Sequence, residues 1–301
     1  MIESLNRTLI FGAGMMGASL ALALKNHPSF NGKIIAAVRS SESAEFLSAN
    51  HLADQVIQNL TVSEIEQLDV DLIVLCTPVL TTIELLKHLK VNCLITDMGS
   101  TKAQIQEVAN QTELLFVGSH PMCGSENAGP QQLIAGLFEN RLCIITNDSN
   151  SKLNQNSSAT YTEQVSQFWS DLGMVTIQTD SKTHDQVIAQ LSHGPHFISS
   201  ALALSLMNDQ NLISLNQSSP IPITGGGLRD MLRIAGSNPQ MWHDVLTTNR
   251  DQILSFLKVF RFSLDKLIQH TETKESQWVY DYQKQALAAR MLITGNQKND
   301  Q

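Results

Sequence analysis

A parallel α/β domain followed by helices alone is the fold class predicted for these 301 residues, and three observations predict it. Short apolar runs at 8–11, 33–38, 71–76 and 94–96 alternate with helical patterns through the first half of the chain. Such alternation builds βαβ units around a parallel sheet. The first run feeds Gly12-Ala13-Gly14-Met15-Met16-Gly17 and then a helix of small residues. From Thr183 onward the periodicity is helical almost throughout, with no convincing strand. A boundary is expected near Asp180, which gives domains of 1–180 and 181–301.

The glycine turn organises the first domain. A buried strand that runs through such a turn into a helix presents unpaired N–H groups and a positive dipole end to a phosphate. Gly12 permits the tight turn, Gly14 lets the backbone approach a pyrophosphate, and Gly17 lets helix and strand pack closely. Met15 and Met16 occupy the same turn. The domain therefore reads as a Rossmann-type dinucleotide-binding fold.

Composition removes several classes of function. The net charge is -8 and the isoelectric point near 5.5, with no basic run, so nothing points to nucleic acid. No stretch is long and apolar enough to span a bilayer, and a strand begins too early for a signal peptide, which predicts a cytoplasmic protein with no membrane partner. Cys76, Cys93, Cys123 and Cys143 are widely spaced and form no CxxC pair. Buried reduced thiols are expected, with no metal site and no disulfide scaffold.

The second strand, 33–38, ends in Val38-Arg39-Ser40-Ser41. A ribose 2′-hydroxyl is usually read by an acid at this point, whereas a 2′-phosphate needs a cation and hydroxyl donors. The acid is missing, so Arg39 with Ser40 and Ser41 favours NADP over NAD, against the alternative that Arg39 is only a solvated residue. The run 71–76 is stopped by Thr77-Pro78, a further pair at the cofactor edge. The strand 94–96 leads into Asp97-Met98-Gly99-Ser100-Thr101-Lys102, which by itself reads as a turn and a helix cap.

A strand at 114–117 is followed by Gly118-Ser119-His120-Pro121-Met122-Cys123-Gly124-Ser125-Glu126, expected as a loop on the ligand-binding edge. His120 is the first catalytic candidate there, with Ser125 and Glu126 beside it as candidate substrate contacts. Another strand is expected at 141–146. The Asn- and Ser-rich stretch 147–158 reads as a surface excursion, followed by a helix at 161–172 and a strand at 174–179.

In the second domain Thr183 or Ser181 is expected to cap a helix that carries His184 and Asp185. Gly194-Pro195 should kink or restart it. His193 and His196 would share a helical face, and with no third ligand at a recognisable spacing they read as hydrogen-bonding or core residues. A polar loop is expected at 208–222. Arg229 and Arg233, spaced i and i+4, could form a carboxylate clamp or pair with Asp230 on a surface helix. A helix restarts after Asn238-Pro239, and the amphipathic pattern 245–268 reads as core or dimer interface.

With these parts in order, the chain resembles the prephenate/arogenate dehydrogenase family of tyrosine biosynthesis over nearly its whole length. The resemblance is carried by the glycine turn, Asp97-x-Gly99-Ser100-x-Lys102, His120-Pro121-Met122-x-Gly124, Ser192-His193-x-Pro195-His196, Gly226-Gly227-x-Arg229-Asp230-x-x-Arg233-Ile234-Ala235, and Met241-Trp242-x-Asp244. It implies an oxidative decarboxylation, in which the ring hydroxyl carbon gives a hydride to nicotinamide, carbon dioxide leaves and the ring becomes aromatic. His120 matches the family's catalytic histidine, which would take the hydroxyl proton. Ser100 matches a serine that would hold His120 or the same hydroxyl. Arg233 matches the substrate arginine, and Arg229, His193 and His196 match positions near the substrate or the domain interface. Trp242 and Asp244 are expected to support the pocket. The resemblance implies dimers paired through the helical domain.

Gly194, Leu228 and Met231-Leu232 depart from the family's pattern, and none removes a chemical group. No fused chorismate mutase domain and no ACT-type regulatory domain are expected. Prephenate and arogenate differ in a keto against an amino group, and both stay open. Two other readings share the glycine turn: a β-hydroxyacid dehydrogenase, which would place a catalytic lysine among the helices, and an NADP-binding sensor that turns nothing over.

Overall fold

The apolar runs form the layers of one sheet. The computed structural model describes residues 1–125, 127–146, 148, 155–273 and 276–295, with the backbone alone for 155–159. Strand β1 (Arg7–Phe11) leads through the glycine turn into α1 (Met15–Asn26), followed by β2 (Lys33–Val38), α2 (Ser41–Ala49) and β3 (Gln55–Gln58). The chain then crosses back through α3 (Val62–Ile65) to β4 (Leu72–Leu75), α4 (Val79–His88), β5 (Leu94–Asp97), α5 (Ala103–Asn110) and β6 (Leu115–Pro121). It continues through β7 (Leu142–Thr146), α6 (Gln155–Asp171) and β8 (Val175–Thr179). Across the sheet the order is β3-β2-β1-β4-β5-β6-β7-β8, parallel throughout except where β6 meets β7. The chain turns outward from β1 on one side and from β4 on the other. A crevice therefore opens at the carboxyl ends of β1 and β4, where open α/β sheets bind ligands.

Strand alternation divides the core between two faces. Ile10, Ile34 and Val74 pack with Leu20, Leu24, Phe168 and Trp169 on one side. Their neighbours Leu9, Ile35 and Ile73 pack with Ile83, Leu86 and Phe116 on the other.

Several boundaries differ from the sequence expectation. β3 went unread because its two apolar residues sit between glutamines on a half-exposed edge. β6 runs on to Pro121, so His120 lies on the strand, opposite Ile144 of β7, and not in a following loop. That extension comes from a partner 25 residues or so away in the chain, which local propensity does not report. Of the expected excursion 147–158, residues 147 and 149–154 lie outside the described residues, and 155–158 already belong to α6.

Helices fill the rest of the chain. Asp180, and not Ser181 or Thr183, caps α7 (Ser181–Ile188), accepting the N–H of Thr183 at 2.9 Å. Ser181 instead donates its N–H and hydroxyl to Asp148. A π-helical turn, Ala189–His193, joins α7 to α8 (Gly194–Leu206) with no break in the helical backbone, and Pro195, which has no N–H to give the preceding turn, stands just beyond it. The expected loop 208–222 contains α9 (Gln210–Ser218), capped by Asp209. After α10 (Gly226–Arg233) and α11 (Pro239–Thr248), the expected pattern 245–268 is broken at Asn249 before α12 (Arg250–Glu272) and α13 (Ser276–Thr294). By packing, the chain forms two compact units, Met1–Ile253 and Leu254–Gln301. No helix among the described residues is long and apolar enough to cross a membrane. The four cysteines are free, Cys143 buried and the others half-buried.

Candidate active site

His120, at the carboxyl end of β6, is 9% exposed. Its Nδ1 lies 2.9 Å from Nε2 of His184, and Nδ1 of His184 lies 2.8 Å from a carboxylate oxygen of Asp185. That carboxylate also accepts the N–H groups of Lys102 at 2.7 Å and Ala103 at 2.9 Å, so it caps α5 from another part of the chain. The resemblance implies that Ser100 holds His120 or the substrate hydroxyl. In the structure His120 is held by His184, and no hydrogen bond joins it to Ser100 among the described residues. Ser100 stands half-buried in the turn between β5 and α5.

Asp97 fixes that turn. Its carboxylate pairs with Lys102 Nζ at 2.5 Å, both side chains almost fully buried, and accepts the N–H groups of Gly99 and Ser119. The Ser119 hydroxyl donates to the Asp97 carbonyl, tying β6 to β5 beside His120. A buried pair of this kind stays only where further hydrogen bonds satisfy both charges.

Burial pushes His120 well below the ordinary imidazole pKa, and the nearby His184, Lys102 and His193 push the same way. His184 is lowered by burial, with Asp185 opposing. His193 is lowered to about 4, again mainly by burial. All three are neutral imidazoles at neutral pH.

His193 and His196 do share a face, against Trp242. The His196 ring stacks on the indole at 4.0 Å between centroids and its Nδ1 bonds the Ile234 carbonyl at 2.9 Å. Nδ1 of His193 lies 3.2 Å from the Asn249 amide nitrogen, which also donates to the Asp185 carbonyl at 2.8 Å. An amide nitrogen only donates, so the His193 proton sits on Nε2. Trp242 Nε1 is buried with no hydrogen-bond partner, whereas the His193 ring faces the Ser100 backbone, which opposes the fall in its pKa. No group of residues suited to hold a metal ion occurs among the described residues.

Arg229 and Arg233 lie on α10, both exposed. Arg229 donates to the Thr224 carbonyl at 3.3 Å. Among the described residues neither pairs with Asp230, so the surface salt bridge is not formed. Burial lowers the pKa of His196, and the Arg233 charge pushes the same way, which puts Arg233 near the histidine pair. Ser125 is exposed and accepts the N–H of Asn127. Glu126 lies outside the described residues.

The glycine turn fits a dinucleotide. Gly12 has φ +92°, and a Cβ there would meet Thr77 Cγ2 at 2.6 Å. A Cβ at Gly17 would meet the Gly12 carbonyl oxygen at 3.0 Å, whereas at Gly14 nothing lies within 4 Å. The tight turn, the close helix contact and the open approach thus fall on the three glycines as expected. No side chain caps α1, which leaves the N–H groups from Met15 onward for an anion. Arg39 is exposed at the end of β2, while Ser40 caps α2 through Ser43. Thr77 bonds Thr82 and Pro78 precedes α4, on the same edge.

Three residues of this site went unread in the sequence: His184, Asp185 and Asn249. A signal existed. On α7 the buried stripe is Ser181, His184, Asp185 and Ile188, spaced i, i+3, i+4 and i+7, while apolar Val187 faces out.

Known proteins match over most of the chain. A family model described as "Prephenate dehydrogenase, nucleotide-binding domain" matches residues 20–178, and one described as "Prephenate dehydrogenase, dimerization domain" matches residues 180–285. The chain is 31% identical to a prephenate dehydrogenase of Lactococcus lactis over 283 residues, 91% of this chain and 73% of that one. Its fold is similar to that of a prephenate dehydrogenase from A. aeolicus in complex with hydroxyphenyl propionate and NAD+, with a TM-score of 0.80, 27% identity, and coverage of 96% of this chain and 99% of that one. A Synechocystis arogenate dehydrogenase gives a TM-score of 0.71 at 26% identity, covering 94% and 98%.

Proposed function

This chain belongs to the prephenate dehydrogenase family, and we propose on that footing that its active site is built on His120 and its substrate is prephenate or arogenate. It is an NAD(P)-dependent oxidoreductase of tyrosine biosynthesis. The observation that carries the site is the state of His120: buried, neutral, and with Nδ1 engaged by His184, so that Nε2 is the ring nitrogen left for a substrate.

In this reading His120 Nε2 accepts the proton of the ring hydroxyl, a task suited to a neutral imidazole positioned as a general base. A nicotinamide held at the glycine turn would supply the acceptor for the hydride on the carbon that bears this hydroxyl, with loss of carbon dioxide. Ser100 faces the same hydroxyl from the β5–α5 turn. Arg233 grips a substrate carboxylate in two bonds, and Arg229, one turn away on α10, supplies a second cation. His193, against the Ser100 turn, supplies a further polar group on the substrate side, and His196 holds the Trp242 wall. Ser125 and Glu126 complete the substrate contacts.

Gly12, Gly14, Met15, Met16 and Gly17 would hold the cofactor pyrophosphate, with Thr77 and Pro78 along the same edge. Arg39 and Ser40 would meet the adenosine ribose. No acid stands there and Arg39 is free of an ion pair among the described residues, which favours NADP, although the A. aeolicus relative was solved with NAD+. The cofactor half is taken to end near Asp180, with residues 181–301 forming the helical substrate and dimerisation part of a cytoplasmic homodimer.

Initial-rate reduction of NADP and of NAD, each with prephenate and with arogenate, tests this. Reduction with either substrate, faster with NADP, is the expected result. No reduction in any of the four assays would return the chain to the β-hydroxyacid dehydrogenase or sensor readings.

A further inference from the structure

The proton positions in the chain His120, His184, Asp185 follow from their partners. Both oxygens of the Asp185 carboxylate accept backbone N–H groups, and Oδ1 also faces His184 Nδ1 at 2.8 Å. A carboxylate so placed meets His184 as an acceptor, so His184 carries its proton on Nδ1. In a neutral imidazole the other nitrogen is then a bare acceptor. His184 Nε2 lies 2.9 Å from His120 Nδ1, so His120 must be the donor across that contact. The His120 proton is thereby fixed on Nδ1, and Nε2 is left with its lone pair.

We infer that His184 and Asp185 are positioning residues that lock His120 in the Nδ1–H tautomer, with Nε2 presented as a ready base. This rests on the reading of His120 as the base and adds the reason it is one. An unheld imidazole samples both tautomers and both ring orientations, and only one presents a lone pair at Nε2. The lock is built into the fold. Asp185 is held by the N-terminus of α5 on one side, and its own carbonyl is held by the Asn249 amide on the other. The side chains of His184 and Asp185 are almost completely buried, so water does not compete for these bonds. The other titratable groups around His120 are Lys102 and Asp97 from the β5–α5 turn, His193 from the π turn, and Cys143 from β7. As His120 takes a proton at Nε2, the Asp185 carboxylate at the far end of the chain offsets the charge that develops.

The test uses the full chain labelled with 15N-histidine and a long-range 1H–15N spectrum that reports which ring nitrogen bears the proton, with His120→Asn assigning the signals. At pH 7.5 and without substrate, His120 is expected to be protonated at Nδ1 and bare at Nε2. In His184→Phe, which removes the acceptor, the locked tautomer should be lost and kcat should fall about 10- to 100-fold, with KM and cofactor Kd changed less than about threefold. His184→Gln offers an amide oxygen to His120 and an amide N–H to Asp185, and should restore the Nδ1–H tautomer and most of kcat. A purely structural role would alter stability without moving the tautomer and would not be rescued in this way. An Nε2–H tautomer in the wild type, or unchanged kcat and tautomer in His184→Phe, would overturn the inference. Should His184→Phe not fold, the wild-type and His184→Gln spectra still decide it. The spectrum is taken without turnover, so failure of the lock and failure of His120 as the base are told apart: the latter shows only as activity kept in His120→Asn.

Discussion

Asp185 accepts the backbone N–H of Lys102 at 2.7 Å and sits 2.8 Å from His184 Nδ1 with the same oxygen. One carboxylate therefore caps α5, closes the turn that carries Ser100, and holds the histidine that holds His120. Fold and site share a single group at this point.

Asp185→Ala should thus cost both stability and turnover. It uncaps α5 and leaves His184 without its buried acceptor, for a loss of about 2–4 kcal/mol. Urea unfolding of the two proteins measures it, with the midpoint lowered and the slope unchanged. A loss below about 0.5 kcal/mol would mean that the cap is not used.

Arg233 is exposed and has no ion pair among the described residues. Arg233→Ala should raise KM for substrate about 10- to 100-fold, the scale of a lost charge-assisted contact, with a smaller effect on kcat. Steady-state kinetics give the split, and an unchanged KM removes Arg233 from the site.

Arg39→Ala should weaken NADP about tenfold and leave NAD nearly unaffected, because only the 2′-phosphate needs the cation. Fluorescence titration with the two reduced cofactors compares them. Equal losses for both would place Arg39 outside ribose recognition.

Acid should destabilise the protein through its buried histidines. His120, His184 and His193 have folded pKa values below the ordinary 6.5, that of His193 at about 4. Between the folded and unfolded values the unfolded chain binds more protons, so stability is full above about pH 6.5 and falls as pH drops through that window. The slope is about 1.4 kcal/mol per pH unit for each proton taken up on unfolding. Thermal melts from pH 8 to pH 5 follow it, and His193→Asn should flatten the curve. A wild-type melting temperature that does not change over this range would contradict buried neutral imidazoles.

The sequence was most legible where structure is local. The glycine turn needs only its own spacing, and β2 at Lys33–Val38 was read with its observed ends because every residue after the first is apolar. The strand bearing His120 was cut short, since Gly118 and Ser119 carry no strand signal and are extended only by pairing with Thr146 and Ile145. α9 is masked in the sequence because its polar residues hide a short amphipathic stretch, Gln210–Ser218, capped by Asp209. The site was half legible for the same reason. His120, Ser100 and the arginines stand in recognisable local patterns. His184, Asp185 and Asn249 act through partners 56 or more residues away, His120, Lys102 and His193 among them, or through contacts that only folding brings together.

The most direct test of the account is the turnover of His120→Asn beside the wild type, with the preferred substrate and cofactor. Asparagine keeps the size and polarity of the side chain but cannot take the hydroxyl proton. The account predicts a fall in kcat of about two to four decades with cofactor affinity nearly intact. Wild-type turnover in His120→Asn would contradict it and move the base elsewhere in the site.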